Sequence, residues 1–391
     1  MGVKFHNDIY FTGVPGLKGF EHMKIAIIRG DGVGTEVVAE GLNVLEAAAA
    51  QTGFTYSLTE FPIGGQRYLD QGGNPAAPSI PVVTDKEIDE LRSFDAIFLG
   101  AVGHPDIAPG IIEKGMLLKL RFELDQYINL RPVTLFPGVT TPLANKTPED
   151  IDFLVVRENT EGLYAGSGGV LREGTQHEVS TQEMISTRHG AERCIRFAFE
   201  QAVARKAAGY EGKVTLVHKT NVLTFCGGTW KRAFDAVAAE FPDIKPDYNH
   251  VDACCMYMAT TPESYDVVVV PNMFGDIITD LGAAIAGGMG MAASGNLNPD
   301  PAANSVSMFE PVHGSAPDIA GQGKANPVAA VCSLVMLLDQ VGHITNDAAA
   351  IETAKKIDAA VRTTCAALSG QRMDRLEQST AQVGEMIIAA L

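Results

Sequence analysis

Four consecutive valines, Val267 to Val270, run into Pro271 and constrain this chain more than any other stretch. An unbroken branched apolar run does not alternate between core and solvent. It therefore reads as a strand covered on both faces, as in a parallel sheet packed between helices. The polar turn Asn272-Met273-Phe274-Gly275 leads from it into a helix carrying Asp276 and Asp280. Residues four apart share a helix face, and two carboxylates there repel each other unless a cation lies between them. A hard divalent ion such as Mg²⁺ or Mn²⁺ takes oxygen ligands and leaves room for water and substrate. A solvated acidic helix face is the plainer account of such a pair. The position just past the carboxyl end of a buried strand, where α/β sheets bind ligands, favours metal.

A chain of 391 residues, 46% of them apolar, has room for two domains and a large core. Its net charge of −17 argues against nucleic acid and anionic membrane surfaces as partners. The six cysteines show no C-x-x-C spacing and read as reduced thiols in a cytoplasm. No unbroken run of about eighteen apolar residues is present. Residues 1–22 lack the charged and apolar regions of a secretory signal and read as a leader outside the fold, which begins at Met23.

Taken in order, the apolar strand Ile25 to Ile28 is followed by Gly30-Asp31-Gly32-Val33-Gly34 and an Ala-rich helix. The glycines fall as G-x-G-x-G and not as the dinucleotide fingerprint G-x-G-x-x-G, so a tight strand-to-helix turn is expected. Phe94 to Leu99 reads as a strand opening into Gly100-Ala101-Val102-Gly103, a loop that lets a ligand approach the backbone. From Glu113 to Arg121 the period is helical, which places Leu117 and Leu118 four and three residues before Arg121 on one face. Both leucines as core, with Arg121 snorkelling to water, is the alternative. Arg131 precedes Pro132 and is expected extended; Arg157 follows the strand Ile151 to Val156. Arginine's planar donor fork suits carboxylates, so three arginines at element ends point to a small polyanionic substrate. Gly166 to Ser186 reads as a protruding hairpin, and Val214 to His218 as a strand delivering Lys219-Thr220-Asn221-Val222. Asp252 is a third candidate carboxylate, and helices are expected from Ala329 onward. The βα alternation gives an α/β fold.

Together these segments resemble the β-decarboxylating dehydrogenases, the family acting on isocitrate, isopropylmalate, homoisocitrate and tartrate/malate. The resemblance runs from Met23 to the C-terminus. Its motifs here are Gly30-Asp31-Gly32 with Gly34, Leu120-Arg121, Asn129-Leu130-Arg131-Pro132, Val156 to Gly162, Lys219 to Leu223, Asn272 to Asp276, and His313 to Gly321. The segments Leu120 to Asp125 and His218 to Leu223 are most similar to the members acting on isopropylmalate, although His218 stands where many relatives carry Asp.

The resemblance implies a two-domain fold that is not Rossmann. Residues 23–126 with 287–391 would form a discontinuous cofactor-binding domain, and 127–286 a second domain with the dimerisation arm. It implies a homodimer whose sites take Lys219 and Asp252 from the neighbouring subunit. Arg121, Arg131 and Arg157 would grip the substrate carboxylates. Asp252, Asp276 and Asp280 would hold Mg²⁺ or Mn²⁺, with Asp252 also beside the substrate. Lys219 would be the base and Tyr164 the proton donor. NAD would lie against His313, Gly314, Ser315, Ala316, Pro317, Asp318, Ile319 and Asn326, with Asp318 on the adenosine ribose. Leu117, Leu118 and Val222 would face the C3 substituent, and their apolar branching suits isopropyl. The implied activity is NAD-dependent oxidative decarboxylation of 3-isopropylmalate to 4-methyl-2-oxopentanoate. Tartrate or D-malate as substrate is the alternative; further off stands a non-catalytic anion-binding dimer.

Overall fold

The computed structural model describes residues 22–300 and 305–391. The leader 1–22 thus lies, except for His22, outside the described residues. Ten strands form one sheet: β1 (Met23–Gly30), β2 (Tyr56–Glu60), β3 (Ala96–Ala101), β4 (Ile128–Thr134), β5 (Asp152–Glu158), β8 (Lys213–His218), β9 (Lys245–His250), β10 (Val267–Val270), β11 (Ala293–Leu297) and β12 (Ser307–Pro311). Their order is β2-β1-β3-β12-β11-β4-β5-β10-β8-β9. Strands β2 to β12 at one end and β5 to β9 at the other pair in parallel. The seam between them is antiparallel, with β11 paired to both β12 and β4, and β4 to β5. The four valines form β10 between β5 and β8, each fully buried. Covered on both sides, such a strand has no need of a polar alternate.

The remaining strands, β6 (Gly168–Leu171) and β7 (Val179–Gln182), make a separate antiparallel hairpin. It carries exposed Val170, Leu171 and Val179, 48%, 68% and 51% accessible. The helix Val328–Thr345 is long and apolar enough to cross a membrane by length and composition, yet 83% of it is buried inside the protein. It packs on β12 and β11 as a core helix.

The Gly30–Gly34 turn is tight, with Gly30 and Gly32 at φ +69° and +53°. It is also plugged: the Ser315 carbonyl accepts the Val33 N–H at 2.8 Å, and a Cβ on Gly32 would lie 2.0 Å from that oxygen. A backbone donor of the kind that serves a phosphate is thereby spent on the chain's own loop. Asp31 is buried and accepts the N–H groups of Gly65 at 2.7 Å and Gly103 at 3.0 Å, tying the turn to the loop after β3.

Candidate active site

A cleft of about 830 Å³ opens between the loop after β3, the segment ending at Arg121, β4, β5, the helix Asn272–Ile285 and the end of β12. Arg121, Arg131, Arg157, Tyr164, Asp276, Leu117, Leu118, His313 and Gly314 line it together. These nine sequence-predicted residues therefore meet on one cavity.

Strand geometry sets the arginines. Arg131 and Arg157 sit on the paired strands β4 and β5, and both are buried. Arg157 donates from Nε and Nη2 to Asn272 Oδ1 at 3.2 and 2.8 Å, and from Nη1 to Asp276 Oδ1 at 2.5 Å. Gly275 makes room for it, since a Cβ there would stand 2.5 Å from Arg157 Cγ. Arg131 donates to Asn129 Oδ1 at 2.7 Å and lies 3.7 Å from both Asp276 and Asp280. Burial beside Arg157 lowers Arg131 to about 10, still a cation at neutral pH. Arg121 pairs with Glu310 at 3.0 Å, while its buried Nε has no hydrogen-bond partner. A buried guanidinium with a spare donor is built for a further anion.

Tyr164 stands on a short 3₁₀ turn, Leu163–Ala165, and donates its hydroxyl to Asp276 Oδ2 at 2.8 Å. Burial first, then the Asp276 carboxylate, raises its pKa, so the phenol keeps its proton. Arg157 holds Asp276 below the ordinary carboxylate range despite burial. Asp280, one turn on, is raised by burial even with Arg131 near it.

The other predicted residues divide. The loop from His313 to Asn326 lies along the β1 turn. It is pinned by the Ser315 carbonyl, by Gly323 N–H on Glu36 Oε2 at 3.1 Å and by Asn326 Nδ2 on the Met373 carbonyl at 3.1 Å. Ala316 is forced to φ +40°, His313 Nε2 is buried without a partner, and Pro317 and Asp318 are exposed. Lys219 and Asp252 do not reach the cavity of their own chain. They pair with each other at 2.6 Å, 27% and 68% exposed, and Val222 beside them is 66% exposed. Among the described residues no three acidic, histidine or cysteine side chains gather into a metal cluster. One chain thus provides the carboxylate pair Asp276 and Asp280 but not the expected trio, and Val222 does not join the leucines. The helix before Arg121 also departs from expectation, being π-helical over Glu113–Leu118.

Sequence reading passed over Glu310 and Asn296. Asn296 donates to Glu310 Oε1 at 2.8 Å and accepts from Asn129 at 3.0 Å, so a buried polar chain links Arg121 to Arg131 across the seam. The signal was a glutamate inside the apolar strand Ser307–Pro311.

A sequence profile of the isocitrate/isopropylmalate dehydrogenase family matches residues 24–387. The 3-isopropylmalate dehydrogenase of Thermobifida fusca is 52% identical over 365 residues, 93% of this chain and 96% of that protein. That of Streptomyces coelicolor is 49% identical over 367 residues, 94% and 98% of the two chains. Among solved structures, isocitrate dehydrogenase from Methylococcus capsulatus superposes with a TM-score of 0.78 at 34% identity, covering 94% of this chain and 99% of that one.

Proposed function

The chain belongs to the isocitrate/isopropylmalate dehydrogenase family, and on that premise we propose that it oxidises and decarboxylates 3-isopropylmalate in leucine biosynthesis, using NAD and a divalent cation. The observation that carries this reading is a single cleft lined by three buried arginines together with Leu117 and Leu118.

The arginines would bind the two carboxylates of a malate core. The leucines would take the C3 isopropyl group, whose burial is worth about 1.5–3 kcal/mol, or about ten- to a hundredfold. A third carboxylate in that apolar corner would be left unpaired, which costs more, so isocitrate should be rejected more strongly than D-malate.

The donor set fits a hard cation. Asp276 and Asp280 offer carboxylate oxygens one helical turn apart, and among the described residues no cationic side chain approaches Asp280 closer than the 3.7 Å to Arg131. Asp252 from a neighbouring subunit would complete the ligands. When bound there, the cation would polarise the C2 oxygen and offset the charge left as CO₂ departs. Lys219 of the neighbour would take the hydroxyl proton as hydride moves to the nicotinamide. Tyr164, holding its proton against Asp276, would deliver one to C3.

NAD would lie along His313 to Asn326. The buried His313 Nε2 without a partner and the plugged β1 turn support a binding surface on this loop and not on the glycine turn. The exposed Asp318 carboxylate would accept from the ribose hydroxyls. The domain division at 126/127 and 286/287 accords with the antiparallel seam, and the apolar hairpin β6–β7 suits a dimer arm.

The test is a spectrophotometric panel of 3-isopropylmalate, isocitrate, tartrate and D-malate with NAD and NADP. The highest kcat/KM should fall to 3-isopropylmalate with NAD. Leu118→Ser should depress it more than the D-malate value. Equal losses would make the leucines mere core, and a higher efficiency on D-malate would replace the substrate.

A further inference from the structure

The segment Glu113–Leu118 is a π-helix followed directly by the α-helix Lys119–Glu123. Its sequence supplies the reason. Ile112, Met116, Leu120 and Leu124 are all buried in one core cluster at a regular spacing of four residues. At 3.6 residues per turn, three such steps overrun an α-helix by roughly 120°. A π turn is wider and lodges an additional residue, so all four side chains stay on the core side. Gly115 lets the wide turn press against its neighbour, since a Cβ there would lie 2.7 Å from Val82 Cγ2. Lys119 fastens the far end, with Nζ on the Val83 carbonyl at 3.1 Å and on Asp85 Oδ1 at 2.6 Å.

This register decides what faces the cleft. With Met116 in the core, Glu113, Leu117, Leu118 and Arg121 all line the cavity. One residue fewer would bring Ile112 and Leu120 to a seven-residue, α-helical spacing. Leu117 would then fall four after Ile112 and three before Leu120, and would take the core place of Met116. Only Leu118 would remain between Glu113 and Arg121.

We propose that the π turn Glu113–Leu118 determines specificity: by lodging one additional residue it sets two adjacent leucines against the C3 substituent and limits the pocket to a short branched alkyl group. This rests on the reading of the cleft as a 3-alkylmalate site.

The experiment compares wild type with a deletion of Met116, folding being checked by circular dichroism and thermal melting. The ratio of kcat/KM on 3-isopropylmalate to that on D-malate should fall about tenfold, the scale of losing a small apolar contact in a pocket. Relative efficiency on a malate bearing an isobutyl group at C3 should rise. Should the deletion fail to fold, Leu117→Ala removes the same leucine from the intact turn and should lower the ratio in the same sense. An unchanged ratio in the variant that folds overturns the proposal while leaving the substrate assignment standing. A wild type inactive on both substrates overturns that assignment and this inference with it.

Discussion

Two acid–base pairs in this chain have the same composition in outline and opposite surroundings. Tyr164 with Asp276 lies in the cleft, backed by the buried Arg157. Lys219 with Asp252 lies at the surface, with side chains 27% and 68% exposed. The first pair is finished: each oxygen has a partner, burial and the Asp276 carboxylate raise the Tyr164 phenol, and Arg157 holds Asp276 low despite its burial. The second pairs only with itself, and the stretches that carry it also carry Val222, Phe225, Met256 and Tyr257, apolar side chains 66%, 90%, 60% and 42% exposed. A lysine–carboxylate bridge this exposed adds little stability, and large exposed apolar side chains on the same stretches suit a surface that is covered in an assembly. On the proposed reading, one chain would hold half a site in its cleft and offer the other half outward.

The sharpest break of the comparison is in the finished half. Asp276→Asn should lower kcat by about a thousandfold or more, because the proposed metal ligand and the partner of Tyr164 go together. The fold should survive, since Asn272 Oδ1 still accepts from Arg157 at 3.2 and 2.8 Å. Excess EDTA should silence the wild type, and added Mg²⁺ or Mn²⁺ restore it. Full turnover in EDTA would remove the metal from the account.

The outward half is tested by mixing. Lys219→Met and Tyr164→Phe should each cost about a hundredfold or more alone. If Lys219 serves a neighbour's cleft, a mixed dimer has one intact site and one doubly damaged site. Random reassembly of the two variants should then recover about a quarter of wild-type activity, as expected for a two-fold dimer. No recovery on mixing would put both residues in the same chain's site.

The finished half was also the more legible. The valine run, the arginines and the Asp276/Asp280 pair are local patterns whose physics is carried within a few residues; the valines form the buried strand β10, and the three arginines and Asp276 line one cleft. Lys219, Asp252 and Val222 were equally visible as residues, but where they act depends on a surface the sequence does not encode locally. The π turn was missed for another reason. A four-residue spacing reads as α-helix over two turns, and the mismatch accumulates only over the third. Asn296 and Glu310 escaped because a polar residue inside a strand gives no hint of its partner, which comes from 167 residues away for Asn129 and 14 for Glu310.

A smaller effect is expected at the loop proposed to hold NAD, which belongs to neither half. The exposed Asp318 carboxylate would repel a 2′-phosphate. Asp318→Lys should reduce the preference for NAD over NADP by about tenfold, read from kcat/KM with each cofactor. A wild type that already uses both equally would reduce Asp318 to a turn residue.

The smallest effect lies where the two halves touch. His218 is fully buried, and its Nδ1 accepts the Lys219 N–H at 2.8 Å. Its ring stands edge-on to Phe274, centroids 5.8 Å apart, two residues before Asp276. Gly227 closes over it, a Cβ there falling 3.0 Å from Nδ1. That hydrogen bond requires Nδ1 unprotonated, and burial pushes the imidazole down to about 4. In the unfolded chain it would titrate near 6.5. As pH falls below that value the unfolded state takes up the proton first, so this contribution to stability is complete above about 6.5 and lost on the way down to 4. The linkage is worth about 3 kcal/mol at most. His218→Asn can keep the acceptor through Oδ1 but cannot titrate. Urea unfolding at pH 7.5 and pH 5 should therefore show a smaller drop for the variant than for wild type, with turnover at pH 7.5 within about threefold of wild type if the Lys219 backbone is still held. Equal drops would mean that His218 is charged or solvated in the folded protein. A large loss of turnover with the smaller drop intact would mean that the imidazole does more for Lys219 than hold its amide.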